Sequence, residues 1–347
     1  MAYTNIDLPT DYFNTVLWTG NGTLARSITG VGFQPDLVWI KNRSAAEEQL
    51  WYDAVRGADK LLRSNNTAGD ATTSTTVYFN SFDSDGFTIG TETAMNASGQ
   101  NIVAWNWLGA NSTASNTAGS ITSTVSANTT SGFSVVSWTG NGTDGASIGH
   151  GLGTTPSSWI IKQRTGTQVW VVYHTGLSAT DNYLQLNSAN AEATNAPNIW
   201  SADSTTLTFP TSYLGTNGSG SDYVGYFFAD VKGFSKFGKY TGNGSADGPF
   251  VYTGFKPAFV ILKRTDGVAN WQLNDSARDT FNVVNKRLAP STSEAEATNF
   301  NFGDFLSNGF KIRQTDQTWN ASGASYIYMA FAENPLVAGN YVPTTAR

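Results

Sequence analysis

A chain of 347 residues with no cysteine can form no disulfide and offers no thiolate as nucleophile or metal ligand. Two histidines, His150 and His174, nearly exclude a histidine-based metal centre, although oxygen-ligated calcium needs neither. A formal net charge of −6 argues against a protein that grips phosphate backbones, so no nucleic-acid partner is expected.

Charged residues make up only 13% of the chain and aromatics another 13%, with 35 glycines. That is a β-rich composition, because aromatic and β-branched side chains fit a pleated surface while Gly and Asn supply the φ > 0 positions of tight turns. The opening MAYTNIDLPTDYF has neither the basic region nor the apolar run of an export signal, and no stretch approaches the roughly 18 apolar residues of a membrane span. Synthesis in a cytoplasm without membrane insertion is expected.

In chain order, FNTVLW, the segment around Ile28, DLVWI, QLWYD and KLLRS each have the length and composition of a short strand. One helical turn is expected near DAVRGADK, where Asp53 can cap. STTVYFNSFDSDGFTIG follows as a hairpin, since Asp-Gly between apolar runs is a strong turn signal, and NIVAWNW closes the set. The set then recurs. WTGNGT at 18–23 returns unchanged at 138–143 and as YTGNGS at 240–245. Anchored on Pro35, Pro156 and Pro257, the copies align at offsets of 121 and 101, with Gly32, Gly153 and Gly254 ahead of each proline and Lys41, Lys162 and Lys263 behind it. NASG, NGSG and NASG, beginning at Asn96, Asn217 and Asn320, each introduce a closing strand.

About seven short strands per hundred residues point to an all-β fold of three tandem β-sandwich repeats, with a closed barrel as the competing closure. The expected divisions are an N-terminal arm 1–11, a first sandwich 12–108, a Ser/Thr/Asn/Gly linker 109–131, a second sandwich 132–230, a third sandwich 231–333 and a tail 334–347. The linker is too polar to build a core of its own and is expected to be a linker or an extended strap. Each sandwich is expected to close its own core.

Twelve residues past each lysine stand Asp53, His174 and Asp275, and three further on Arg56, Leu177 and Arg278. The Asp-x-x-Arg pairs of the first and third copies are expected to be surface pairs bracing a turn, worth about 0–1 kcal/mol. Glu47-Glu48 and Glu294-Ala295-Glu296 look like solvated faces. Asp83-Ser84-Asp85-Gly86 resembles the opening of a calcium loop but lacks the closing bidentate Glu, so hairpin geometry is the better account. No nucleophile elbow, zinc-protease helix, Walker sequence or dinucleotide fingerprint is present, and no catalytic residue, metal or cofactor is expected. Trp39, Trp105, Trp159 and Trp170 lie in strand-like runs and should be core. Trp319, beside a turn, and Tyr213 and Tyr223, beside the Gly-rich loop at 215–220, are the aromatic residues expected to be exposed enough to contact a glycan.

The boxes WTGNGT, GVGFQPDLVWIKNRS, FDSDGFTIG, NASGQNIVAWNW, FLSNGFKI and YIYMAFAENP resemble the repeated boxes of tailed-phage virion proteins of marine and cyanobacterial phages, over nearly the whole chain. The resemblance implies a structural protein of the tail apparatus, a fibre, spike or adjoining component, located in the virion and contributing to host attachment. It implies other virion proteins as partners, a homo-oligomer of three- or six-fold arrangement, and a host surface glycan. A capsid decoration or head-fibre protein and a polysaccharide-cleaving tailspike are the alternatives.

Overall fold

The computed structural model describes residues 4–194, 200–209 and 215–337, and within them nearly every regular element is an antiparallel strand. The first unit contains β1 (Phe13–Thr19), β2 (Arg26–Thr29), β3 (Leu37–Asn42), β4 (Gln49–Asp53), β5 (Lys60–Arg63), β6 (Ala71–Thr72), β7 (Phe79–Asp83), β8 (Gly86–Ile89) and β9 (Asn101–Trp107). They form a six-stranded sheet ordered β1-β9-β3-β4-β5-β6 and a small sheet ordered β2-β8-β7.

The second unit runs through β10 (Ala114–Asn116), β11 (Ser123–Asn128), β12 (Phe133–Thr139), β13 (Ser147–Gly149), β14 (Ser158–Gln163), β15 (Val171–His174), β16 (Asn182–Gln185), β17 (Ala193–Thr194), β18 (Ser201–Ala202), β19 (Thr206–Thr208) and β20 (Asp222–Phe228). Its large sheet is ordered β10-β11-β12-β20-β14-β15-β16-β17 and its small one β13-β19-β18. The third unit has β21 (Ser235–Thr241), β22 (Phe250–Tyr252), β23 (Phe255–Arg264), β24 (Gln272–Asp275), β25 (Gly303–Leu306), β26 (Gly309–Ile312) and β27 (Ser325–Pro335), in sheets β21-β27-β23-β24 and β22-β26-β25. Thus β1-β9-β3-β4, β12-β20-β14-β15 and β21-β27-β23-β24 share one strand order, and each lies beside its own small sheet.

The apolar bursts are continuous because each central strand is buried on both faces. Along β3, Val38 and Ile40 face the first unit's own core while Leu37 and Trp39 enter a second, larger one. In β14, Trp159 and Ile161 face inwards to their unit and Ile160 points to the larger core; in β23, Val260 and Leu262 alternate with Phe259 and Ile261 in the same way. This larger core is common to all three units. Trp107, Phe228 and Phe331 meet there pairwise, with ring centroids 5.7 to 6.4 Å apart. Each unit thus closes a core of its own, as expected, and in addition turns the other face of its large sheet into the core that all three share.

Of the two forms expected for the polar segment 109–131, the structure shows the extended strap, since β10 and β11 extend the second unit's large sheet through the pairing of β11 with β12. Asp36 of the first unit holds it in place, accepting from Gly109 N (2.8 Å), Asn111 N (3.2 Å) and Ser126 Oγ (2.7 Å). At DAVRGADK the chain makes turns without a helix, although Asp53 Oδ1 does accept from Arg56 N at 2.9 Å as a cap would. The short helices stand elsewhere, at Pro9–Asp11 (3-10), Thr93–Asn96 (α1) and Gln317–Asn320 (α2). No helix among the described residues is long and apolar enough to cross a membrane.

Candidate functional site

The repeated charged positions converge on the junctions between units. Arg56 Nε donates to Asp53 Oδ2 at 2.5 Å and its Nη1 to Asp70 Oδ1 at 2.8 Å; Tyr226 of the second unit donates its hydroxyl to the same Asp53 oxygen at 2.8 Å. In the third unit Arg278 pairs with Asp275 at 2.5 Å and Glu296 at 2.9 Å, and Trp105 of the first unit donates to Asp275 at 3.0 Å. Both Asp and both Arg side chains are fully buried. The surface-pair expectation for Asp53/Arg56 and Asp275/Arg278 is thus overturned, since a neighbouring unit covers each pair. In the second unit His174 occupies the equivalent position. Its Nδ1 accepts from Gly176 N at 2.8 Å, which places the proton on Nε2, where it is donated to Tyr328 O of the third unit at 3.0 Å. Burial lowers this imidazole's pKa to about 4.

The contacts close a ring. Asp53 meets the second unit, His174 the third, and Asp275 the first. A second layer follows the same cycle: Asp70 N donates to Arg164 O, Glu192 N to Thr265 O and Glu296 N to Arg43 O, each at 2.8 Å. Arg43 forms a bidentate pair with Glu296 (2.8 and 2.9 Å), and Arg164 pairs with Asp70 (2.7 Å). Glu296 is therefore no solvated acid. Burial opposes its charge, but the Arg43 hydrogen bond and the neighbouring guanidinium charges hold its carboxyl below the usual range.

Two of the three lysines reach across these junctions. Lys41 Nζ donates to Glu47 O (2.6 Å) and across to Ser293 O (3.0 Å), while Lys162 Nζ donates to Gln163 O (2.9 Å), Gln168 O (2.9 Å) and across to Thr67 O (3.0 Å). Lys263 Nζ donates to Arg264 O at 2.5 Å. Burial pushes each ammonium down to about 8, while the carbonyl acceptors favour its charged form near neutral pH.

The aromatic positions expected to reach a glycan do not. Trp319 lies in α2 with 1% of its surface exposed, against Phe300, and its carbonyl accepts from the Tyr240 hydroxyl at 2.7 Å. Tyr223 is fully buried, stacked on Trp138 at 5.4 Å, and its hydroxyl accepts from Gly218 N at 2.7 Å. Proximity to a turn misled in both cases, because both rings lie beneath the turn, and Tyr223 ties its hydroxyl to the turn's backbone. Tyr213 lies outside the described residues. At the acidic hairpin, Asp85 accepts from Gly30 N and Gly32 N, and Asp83 from Ser81 Oγ and Thr88 Oγ1, so both carboxylates brace the hairpin. Among the described residues no group of three or more His, Asp and Glu could hold a metal ion.

Shallow clefts open among the described residues. One of about 350 Å³ lies beside the 230–236 connection and Tyr252; another of about 250 Å³ lies between β1 and the 276–280 turn. A third, about 210 Å³, opens on the second unit and is lined by Thr155, Pro156, Trp159, Tyr173, Thr180 and Trp200, with Thr175, Ser201 and Ala202. Its lining carries no charge. Trp159 from β14 stacks on Tyr173 from β15 at 3.9 Å, and Trp200, leading into β18, meets Trp159 edge-on at 6.4 Å. Sequence reasoning placed Trp159 in the core, where 98% of it indeed is, but missed Tyr173 and Trp200 as cleft residues. One signal could have found Trp200: it precedes SADSTTLTF, where the second copy departs from the repeat.

No curated protein and no solved structure matches the chain. One family model, described as a domain of unknown function (DUF7483), matches residues 8–335, a single span running through all three units and the segment between the first two. The chain, with its three large sheets around one common core, belongs to that family.

Proposed function

We propose that the chain is a non-enzymatic structural component of a tailed-phage virion, acting in the tail apparatus as a fibre, spike or adjoining protein and contributing to host attachment. The observation that carries this reading is the use the fold makes of its repeated charges. Asp53, Arg56, Asp275, Arg278, Glu296 and the lysines at 41 and 162 are all bonded within or between units, so these groups build a rigid body rather than face a substrate. A thiol-free β body with a common core suits a particle that must persist outside a cell. The resemblance of the repeated boxes to virion proteins is the second support.

Three like sheets in one chain also suit a symmetric tail axis, with one copy or a ring of copies seated against other virion proteins. Immunogold labelling of intact particles tests the location, with label expected on the tail. Label confined to capsid faces would replace this reading with a decoration or head-fibre protein. Release of reducing sugar from host envelope by the purified chain would replace it with a polysaccharide-cleaving tailspike. Native mass spectrometry is expected to give a three- or six-fold stoichiometry.

A further inference from the structure

We infer that the cleft on the second unit, between β14–β15 and the Trp200 approach to β18, binds one neutral sugar ring. Trp159 and Trp200 both line it, and the indole Nε1 of each is buried without a hydrogen-bond partner. A buried donor without an acceptor is costly, so a ligand oxygen that satisfies it gains more than one exchanged for water. Trp51, Trp107 and Trp319 also leave Nε1 unpaired, but they line none of the three clefts described above.

The rim adds hydroxyls. Thr155, Thr175, Thr180 and Ser201 are exposed around the aromatic floor, where their oxygens can both donate and accept. The partly exposed Tyr173 ring for the C–H surface of a pyranose, the buried indole donors for its oxygens and the hydroxyls for its rim match a sugar's chemistry group by group. Among the described lining residues none is Lys, Arg, Asp or Glu, which selects a neutral ring over a uronate or sialate. At about 210 Å³ the cleft holds a single ring, such as the end of a longer glycan. Both nitrogens are buried, so engaging them requires the indoles to shift, which makes tryptophan fluorescence a readout.

This inference deepens the attachment reading, on which it rests for the source of the glycan and not for the chemistry of the cleft. The test titrates the purified full chain with neutral methyl hexopyranosides, methyl N-acetylglucosaminide, methyl glucuronide and a proline-rich peptide, followed by fluorescence and saturation-transfer NMR. At least one neutral glycoside is expected to bind, with about tenfold loss or more in Trp200→Ala and a smaller loss in Thr175→Ala, whose side chain is exposed. Tyr252→Ala, at a different cleft, is expected to bind as the parent does. No neutral glycoside bound by the folded chain, binding unaffected in both cleft variants, or preference for the glucuronide or the peptide would each overturn the site. Particle labelling away from the tail would refute the location while leaving these titrations intact, so the two failures are separable.

Discussion

Asp53 and Asp275 show how a neighbouring unit changes the worth of a single side chain. An Asp-x-x-Arg pair on a turn contributes little in water, but here each carboxylate is buried and also receives a donor from another unit, Tyr226 or Trp105. Removing one member leaves a buried charge unmatched. Asp275→Ala is therefore expected to cost about 3–5 kcal/mol in urea denaturation. The second unit supplies a sharper test, because His174 and Leu177 stand where the other units have Asp and Arg, while Glu192 occupies the position of Asp70 and Glu296. His174→Asp alone should destabilise by several kcal/mol, at the upper end of about 3–5, and adding Leu177→Arg should recover part of the loss by pairing the new carboxylate and Glu192. A double-mutant cycle without coupling would refute the equivalence. His174 also sets a pH dependence. Its folded pKa, about 4, lies below the ordinary value near 6.5, so the unfolded chain takes up a proton first as pH falls. Stability present above about pH 6.5 is then lost progressively down to about pH 4, by about 3 kcal/mol in all, and His174→Gln should flatten that part of the profile.

At the scale of elements, the repeated turns lock onto one another. In each unit a fully buried Asn, Asn96, Asn217 or Asn320, accepts through Oδ1 from the backbone N of Asn21, Asn141 or Asn243 and donates through Nδ2 to the carbonyl of Thr23, Thr143 or Ser245. The glycine ahead of Asn21 or Asn243 has a different duty: a Cβ on Gly242 would lie 2.3 Å from Ala321 O, and one on Gly20 2.0 Å from Ala97 O. The Gly-Asn-Gly word thus recurs because the same docking recurs. Gly242→Ala is expected to cost about 1–3 kcal/mol through forced backbone shifts, and Asn320→Ala a similar amount through orphaned backbone groups. Hydrogen exchange should show the Asn243 and Gly244 amides losing protection in both variants while β23 keeps its own.

For the whole molecule, the common core makes the units interdependent. A fragment of residues 12–108 would expose Trp39, Trp51, Trp105 and Trp107, which the intact chain buries against the other two units. The fragment is expected to aggregate or associate with itself rather than fold as a monomer, by analytical ultracentrifugation. The full chain should unfold in one calorimetric transition, with the ratio of calorimetric to van't Hoff enthalpy near one. Three separate transitions would show that the common core couples the units weakly.

The sequence alone determined the strands, the hairpin at Asp83–Gly86, and the recurrence of the set, because these rest on local chemistry: alternation, turn residues and apolar runs with glycine or proline at their ends. Even the polar segment 109–131 held a readable sign, since Ile121, Ser123 and Val125 are buried while Thr122 and Thr124 are exposed, the alternation of a strand written in small residues. What only the tertiary structure decided is what covers the second face of each large sheet. Solvent and a neighbouring unit leave similar marks on a short Asp-x-x-Arg turn, so the buried ion pairs of the junctions could not be told from surface ones. Likewise Trp319 and Tyr223 sit beside turns in sequence but beneath them in space, and the Trp159, Tyr173 and Trp200 cleft is assembled from three separate stretches. Local patterns encode which way a strand's residues point, whereas the identity of the surface they meet depends on contacts between residues a hundred or more positions apart.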